Sequence, residues 1–158
     1  MGVIYVPVTT ELYFGDLYLG AYKVQSIVTL SLSKCNIQLS QLIENAEKLP
    51  LKQTRKNYVV VASRSHMSPE TEAYINEQKT KHNEVDILSK WSSLKLCKVA
   101  EGSADSYPRF APTMEWDTAA GQAIAIASGA DVINWETKKR MLYNKENLFN
   151  TWFLVEMG

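Results

Sequence analysis

Tyr58-Val59-Val60-Val61-Ala62, followed by Ser63-Arg64-Ser65-His66 and then by Ser68-Pro69-Glu70, is the stretch that decides the fold. A continuous apolar run of this length suits a strand buried on both faces, as in a parallel or mixed sheet covered by helices. Ser68 supplies an N-cap, Pro69 fits the first helical position and Glu70 places early acid, so a helix is predicted to about Lys81. The alternation continues downstream. Val85 to Leu88 reads as a short strand, Ser92 or Ser93 as the cap of a helix ending at Gly102, and Ala104 to Tyr107 as a further strand. Asp117 opens a predicted helix to about Ser128, with Gly129 just past its end. Val132 to Trp135, Met141 to Tyr143 and Trp152 to Val155 complete a mixed sheet with helices on both faces, and the fold class is α/β.

Upstream the character changes. Residues 1 to 43 carry only Glu11, Asp16, Lys23 and Lys34 as charges, against thirty in the other 115 residues. Val3 to Val6, Leu12 to Phe14, a Gly15-Asp16 turn, Leu17 to Leu19 and Ala21 to Val24 read as antiparallel hairpins. Isolated hairpins with apolar residues on both faces do not bury themselves, so another layer must cover them. Either the C-terminal part does so or a preceding segment has been lost. Residues 25 to 56 read as a connector, with Ser/Leu alternation over 29 to 33, a helix from Leu39 to Lys48 and a basic cluster at Lys52, Arg55 and Lys56. The expected organisation is antiparallel strands and connector over 1–56 and an α/β domain over 57–158.

Composition narrows the classes of function. At 158 residues, one core is the expectation. Seventeen basic residues balance seventeen acidic ones, so there is no charge excess of the kind that holds nucleic acid or anionic lipid. Cys35 and Cys97 form no Cys-x-x-Cys pair, and no apolar run reaches the ~18 residues of a membrane span, which points to a reducing, cytoplasmic setting.

Three strand-to-helix junctions carry side chains suited to anions. Ser63-Arg64-Ser65-His66 puts a guanidinium and an imidazole beside a helix start, and reads equally as a solvated loop. Ser92-Ser93-Leu94-Lys95 crowds hydroxyls and an ammonium into a first helical turn. A lysine there opposes the helix dipole, so either a bound anion or solvent screening accounts for it. Trp116-Asp117-Thr118-Ala119-Ala120-Gly121 follows Tyr107-Pro108-Arg109-Phe110. Asp117 is placed as an N-cap, and Gly121 costs a helix about 1 kcal/mol relative to alanine, which requires close packing or close approach to a ligand.

The Trp116 to Gly121 stretch resembles the second signature of the lithium-sensitive, magnesium-dependent phosphomonoesterases related to inositol monophosphatase. Joined to Ser63 to His66, Ser92 to Lys95, Val99-Ala100-Glu101-Gly102 and Tyr107 to Phe110, it resembles more narrowly the 3′(2′),5′-bisphosphate nucleotidase branch. The resemblance runs from Gly2 to Glu156 and is weakest between Gln25 and Arg55. It implies the C-terminal mixed-sheet α/β domain of an inositol monophosphatase-like layered sandwich. It also implies hydrolysis of adenosine 3′,5′-bisphosphate to AMP within sulfur metabolism, with Mg2+ as cofactor. By the same resemblance Asp117 ligates metal close to the substrate, and His66, Ser92, Lys95 and Arg109 contact the nucleotide or its phosphates. The family's Asp-Pro-x-Asp-Gly-Thr motif and upstream glutamate are missing, because no Asp-Pro dipeptide occurs. The sequence therefore reads as a truncated member, inactive alone, which a complementing N-terminal half or self-association through exposed strands would serve. The alternatives are a broader inositol-phosphate phosphatase and an inactive nucleotide-binding remnant. Trp91 stands where the family has glycine, and is expected to crowd the phosphate-binding turn.

Overall fold

The computed structural model describes residues 1–27, 38–63 and 67–158. An antiparallel sheet comes first, with β1 (Gly2–Val6), β2 (Glu11–Asp16), β3 (Gly20–Val24) and β4 (Glu47–Leu49) in that spatial order; the short helix α1 (Leu39–Glu44) precedes β4. The second sheet is mixed. Its strands are β5 (Tyr58–Val61), β6 (Val85–Leu88), β7 (Ser106–Arg109), β9 (Ala130–Asn134) and β11 (Phe153–Met157), in the order β6-β5-β7-β11-β9. β5 runs parallel to β6 and β7, whereas β11 is antiparallel to both β7 and β9. Between them in sequence lie α2 (Pro69–Lys81), α3 (Leu94–Ala100) and α4 (Glu115–Ala127), and a two-stranded ribbon pairs β8 (Thr113–Met114) with β10 (Phe149–Asn150).

Side-chain alternation sorts the mixed sheet into two faces. Val59, Val61, Tyr107, Phe153 and Val155 face α3 and α4, where they join Leu96, Cys97, Val99, Ile124 and Ala125. Val60, Ala62 and Leu154 face the other way, against Tyr74 and Ile75 of α2 and the ring of Phe110. Helices on both faces are thus confirmed. The same cluster as α3 and α4 takes in Tyr13, Ala21 and Leu49, so α4 lies between the two sheets. The layers run antiparallel sheet, α3 with α4, mixed sheet, α2.

Close approach explains two glycines. A Cβ on Gly2 would stand 2.2 Å from the Ala120 carbonyl oxygen, which lets β1 lie directly on α4. A Cβ on Gly121 would meet the Leu96 side chain at 3.0 Å, so close packing of α3 on α4 accounts for the helical glycine.

A buried ionic cluster ties the antiparallel sheet to the end of α3. Glu101, 5% exposed, accepts hydrogen bonds from Tyr13 Oη at 2.6 Å, Lys98 Nζ at 2.9 Å, Lys23 Nζ at 3.2 Å and the Ser103 hydroxyl. Lys23 also pairs with Glu11 at 2.7 Å. Burial by itself would raise the Glu101 carboxyl, but the hydrogen bonds from Ser103, Tyr13 and Lys98 more than offset it and hold the group at about 2.

Several local expectations are corrected. Gly15-Asp16 belongs to β2, and the turn falls at residues 17 to 19, closed by the Tyr18 N–H donating to Asp16 Oδ1. The helix expected from Leu39 to Lys48 stops at Glu44, and Glu47 to Leu49 pair with β3 instead. Residues 141 to 143 form no strand; the Met141 N–H donates to the Val132 carbonyl, and the Tyr143 hydroxyl lies within hydrogen-bond distance of the Thr118 hydroxyl and the Gln122 carbonyl oxygen. The Ser/Leu alternation over 29 to 33 and Cys35 lie outside the described residues. Among those described, no helix is long and apolar enough to cross a membrane.

Candidate active site

Four elements converge on one cavity of about 230 Å³. The start of α3 brings Ser92, Ser93 and Lys95; β7 brings Tyr107 and Arg109; the first turn of α4 brings Asp117 and Thr118; Phe153 of β11 closes the floor. Ser92, Lys95, Arg109 and Asp117, each assigned by resemblance, therefore line a common space. His66 lies outside the described residues, as do Arg64 and Ser65. A second cavity of about 60 Å³, lined by Ser63, Ser68 and Phe110, shares Lys95, Tyr107 and Arg109 with the first.

The electrostatics are one-sided. Burial pushes the Lys95 ammonium down and the Arg109 guanidinium beside it adds to the shift. Lys95 Nζ lies 5.4 Å from the centroid of the Tyr107 ring. Arg109 Nε is buried without a hydrogen-bond partner, and Arg109 Nη2 reaches the Pro112 carbonyl only at 3.4 Å. Among the described residues neither cation has a carboxylate partner within ion-pair distance. Two cations without ion-pair partners, in a cavity that Asp117 also lines, leave donors that a bound phosphate or carboxylate would satisfy.

Asp117 corrects the sequence reading in detail. It is the third residue of α4 rather than its cap, and its Oδ2 accepts from the Met114 N–H at 2.8 Å. That bond fixes the carboxylate at the helix N-terminus, where the dipole favours it. The Ser93 hydroxyl reaches the Asp117 carbonyl at 3.4 Å, linking the two helix starts, while no side chain caps α3. Thr118 is braced from behind by the Tyr143 hydroxyl and Asn150 Nδ2, each at 2.9 Å.

Tyr107 and Thr118 were not assigned roles from the sequence. Tyr107 was findable by strand parity, since residues two apart on β7 share a face with Arg109. Burial pushes its phenol up to about 12, although Arg109 opposes the shift. Trp91 does not crowd the cavity: its side chain is 85% exposed and lies outside the lining. Trp91→Gly is accordingly expected to change phosphate affinity by less than about twofold in a direct titration, as for most surface substitutions. A tightening of tenfold would restore the crowding account.

The architecture defines a layered α/β protein with a cavity lined by Lys95 and Arg109 at the strand ends. The profile of the inositol monophosphatase family matches residues 1–155, and the chain belongs to that family. It is 37% identical over 155 residues to the 3′(2′),5′-bisphosphate nucleotidase CysQ of Salmonella typhimurium, covering 98% of this chain and 54% of that protein. It is also 46% identical over 99 residues to Escherichia coli CysQ, covering 63% of this chain and 39% of that one. The crystal structure of CysQ from Bacteroides thetaiotaomicron superposes with a TM-score of 0.91 at 54% identity, covering 98% of this chain and 56% of that one. A staphylococcal inositol monophosphatase matches at a TM-score of 0.66 and 16% identity, which shows the shared fold alone. The chain thus spans about half the length of the Salmonella and Bacteroides relatives.

Proposed function

We propose that this chain carries the substrate-phosphate side of a 3′(2′),5′-bisphosphate nucleotidase, a phosphomonoesterase converting adenosine 3′,5′-bisphosphate to AMP and phosphate. The observation that carries the reading is the convergence of Lys95 and Arg109, neither of them in an ion pair among the described residues, on the cavity that Ser92 and Asp117 also line. The CysQ relatives support the substrate class. Within this reading residues 1–56 are what this chain holds of an N-terminal domain, and 57–158 form the C-terminal α/β domain. A reducing, cytoplasmic setting accords with Cys97, a free thiol buried in the core.

Magnesium is a poorer fit to this chain alone. Among the described residues no three His, Cys, Asp or Glu side chains come together in a way that would hold a metal ion, and Asp117 is the one acidic residue of the cavity lining. Magnesium prefers octahedral oxygen coordination, and one carboxylate does not assemble it. What this chain's residues do is bind and orient the phosphate: Lys95 and Arg109 neutralise it, the serine hydroxyls donate to it and Asp117 stands beside it.

The reading is tested by titrating adenosine 3′,5′-bisphosphate and following amide chemical shifts. Saturable shifts at residues 92 to 95, 107 to 109 and 117 are expected, with a dissociation constant of about 0.1 to 1 mM. Shifts confined elsewhere, or none in a folded chain, would refute it. Tighter binding of an inositol phosphate would favour the broader phosphatase. In a separate assay, the purified chain with added magnesium is expected to release no phosphate from the bisphosphate above a buffer control. Robust lithium-sensitive turnover would show that the chain completes its own metal site.

A further inference from the structure

Beyond β9 the chain encloses a cavity that the phosphate site does not use. It measures about 280 Å³ and lies between the turn after β9, the segment 141–145 and the end of β10. None of its lining residues belongs to the cavity around Lys95 and Arg109. The turn is held by its own hydrogen bonds: the Lys138 N–H donates to the Asn134 carbonyl at 2.9 Å, the Asn134 N–H donates to the Lys139 carbonyl at 2.8 Å, and Asn134 Oδ1 accepts from the Glu136 and Thr137 N–H groups. A wall fixed in this way needs little further ordering when a ligand arrives.

The lining joins hydrocarbon to charge of one sign. Met141 and Leu142 supply the hydrocarbon, and Lys139, Arg140 and Lys145 supply three cations with no carboxylate among the lining residues. Lys145 is engaged by Glu115, and Arg140 reaches Asp131 only at 3.7 Å. Lys139 Nζ has no partner among the described residues. Asn150 adds an orphaned acceptor. It lines the cavity and is 6% exposed; its Nδ2 donates to Thr113, Met114 and Thr118, whereas its Oδ1 is buried with no hydrogen-bond partner. Buried polar atoms are ordinarily paired, so Oδ1 calls for a donor.

We infer that this cavity binds a small hydroxy acid with a hydrocarbon body. The carboxylate pairs with Lys139 and Arg140, the hydrocarbon lies on Met141 and Leu142, and the hydroxyl is the donor that Asn150 Oδ1 lacks. An amino acid fits less well, because its ammonium would enter a space already lined by cations. A polyol phosphate fits less well too, because its hydroxyls would leave water for Met141 and Leu142. The inference goes beyond the nucleotide reading and uses none of the residues that line the phosphate cavity, so the two fail independently.

The test is a titration of the chain with α-hydroxyisocaproate, followed through amide shifts and the Met141 methyl signal. Saturable shifts at residues 139 to 142, 150 and 151 are expected, with a dissociation constant of about 1 mM. Isocaproate, which lacks only the hydroxyl, and leucine, which carries an ammonium in its place, should each bind about threefold to tenfold more weakly. Lys139→Ala and Arg140→Ala should each weaken binding by about the same factor and leave the melting temperature unchanged, since both side chains are exposed. The inference is overturned by the absence of saturable shifts in a folded chain, by shifts confined to residues 92 to 95, 109 and 117, by equal affinity for isocaproate, or by unaltered affinity in both variants.

Discussion

Glu101→Ala is expected to cost about 3 to 5 kcal/mol in a urea titration at pH 7, a large share of an ordinary domain's stability. The substitution leaves Lys98 buried without the carboxylate that neutralises it, Lys23 with Glu11 alone, and the Tyr13 hydroxyl without its acceptor at 2.6 Å. Tyr13→Phe removes one neutral donor from the same cluster and should cost less, about 1 to 3 kcal/mol. The reverse order would show that the cluster is not organised around Glu101. The same carboxylate sets an acid limit. Its folded value of about 2 lies below the ordinary 4.5, so the unfolded chain binds the proton more tightly. Its contribution, about 3 kcal/mol, is fully present above roughly pH 5 and is lost as the pH falls toward 2. Glu101→Gln should flatten that part of the stability profile, and a profile equally steep in the variant would assign acid sensitivity to other groups.

Lys95→Ala and Arg109→Ala should each weaken binding, and Lys95→Ala should do so without loss of stability. Each removes a charge-assisted contact of about 1.5 to 3 kcal/mol, which weakens a phosphate ligand by roughly tenfold to a hundredfold. Lys95 is destabilised by burial and by its cationic neighbour, so its removal should leave the free chain as stable as before or slightly more so. Two residues that share one phosphate should be non-additive in a double-mutant cycle. Loss of stability in step with loss of binding in Lys95→Ala would indicate a structural lysine rather than a ligand-binding one.

What the sequence disclosed follows from where the determining forces lie. Ser68 caps α2 and Pro69 begins it because these signals act within one turn, and both stand where expected. The strand Glu47–Leu49 has no apolar alternation to reveal it. It exists through pairing of Ala21 with Leu49 and Lys23 with Glu47, partners more than twenty residues distant. Residues 141 to 143 mislead for the converse reason: Met141 and Tyr143 are apolar because each fills a separate place beside α4, not because they share a strand face. At the site, residue types and spacing suggested anion chemistry at Lys95, but the pairing of Lys95 with Arg109 depends on α3 and β7 meeting. Local pattern does not contain that juxtaposition; the family resemblance did.

The position of β11 has a consequence for how the chain is made. The last strand in sequence lies inside the mixed sheet, between β7 and β9. Until Phe153 to Met157 have emerged from the ribosome, β7 and β9 each present an unpaired edge, and Tyr107 and Val132 lack the neighbours that bury them. Chains of this size fold through partly assembled species whose open edges invite misassociation. The strands made before β11 therefore wait on Phe153 to Met157, and these five residues decide whether β7 and β9 share one sheet.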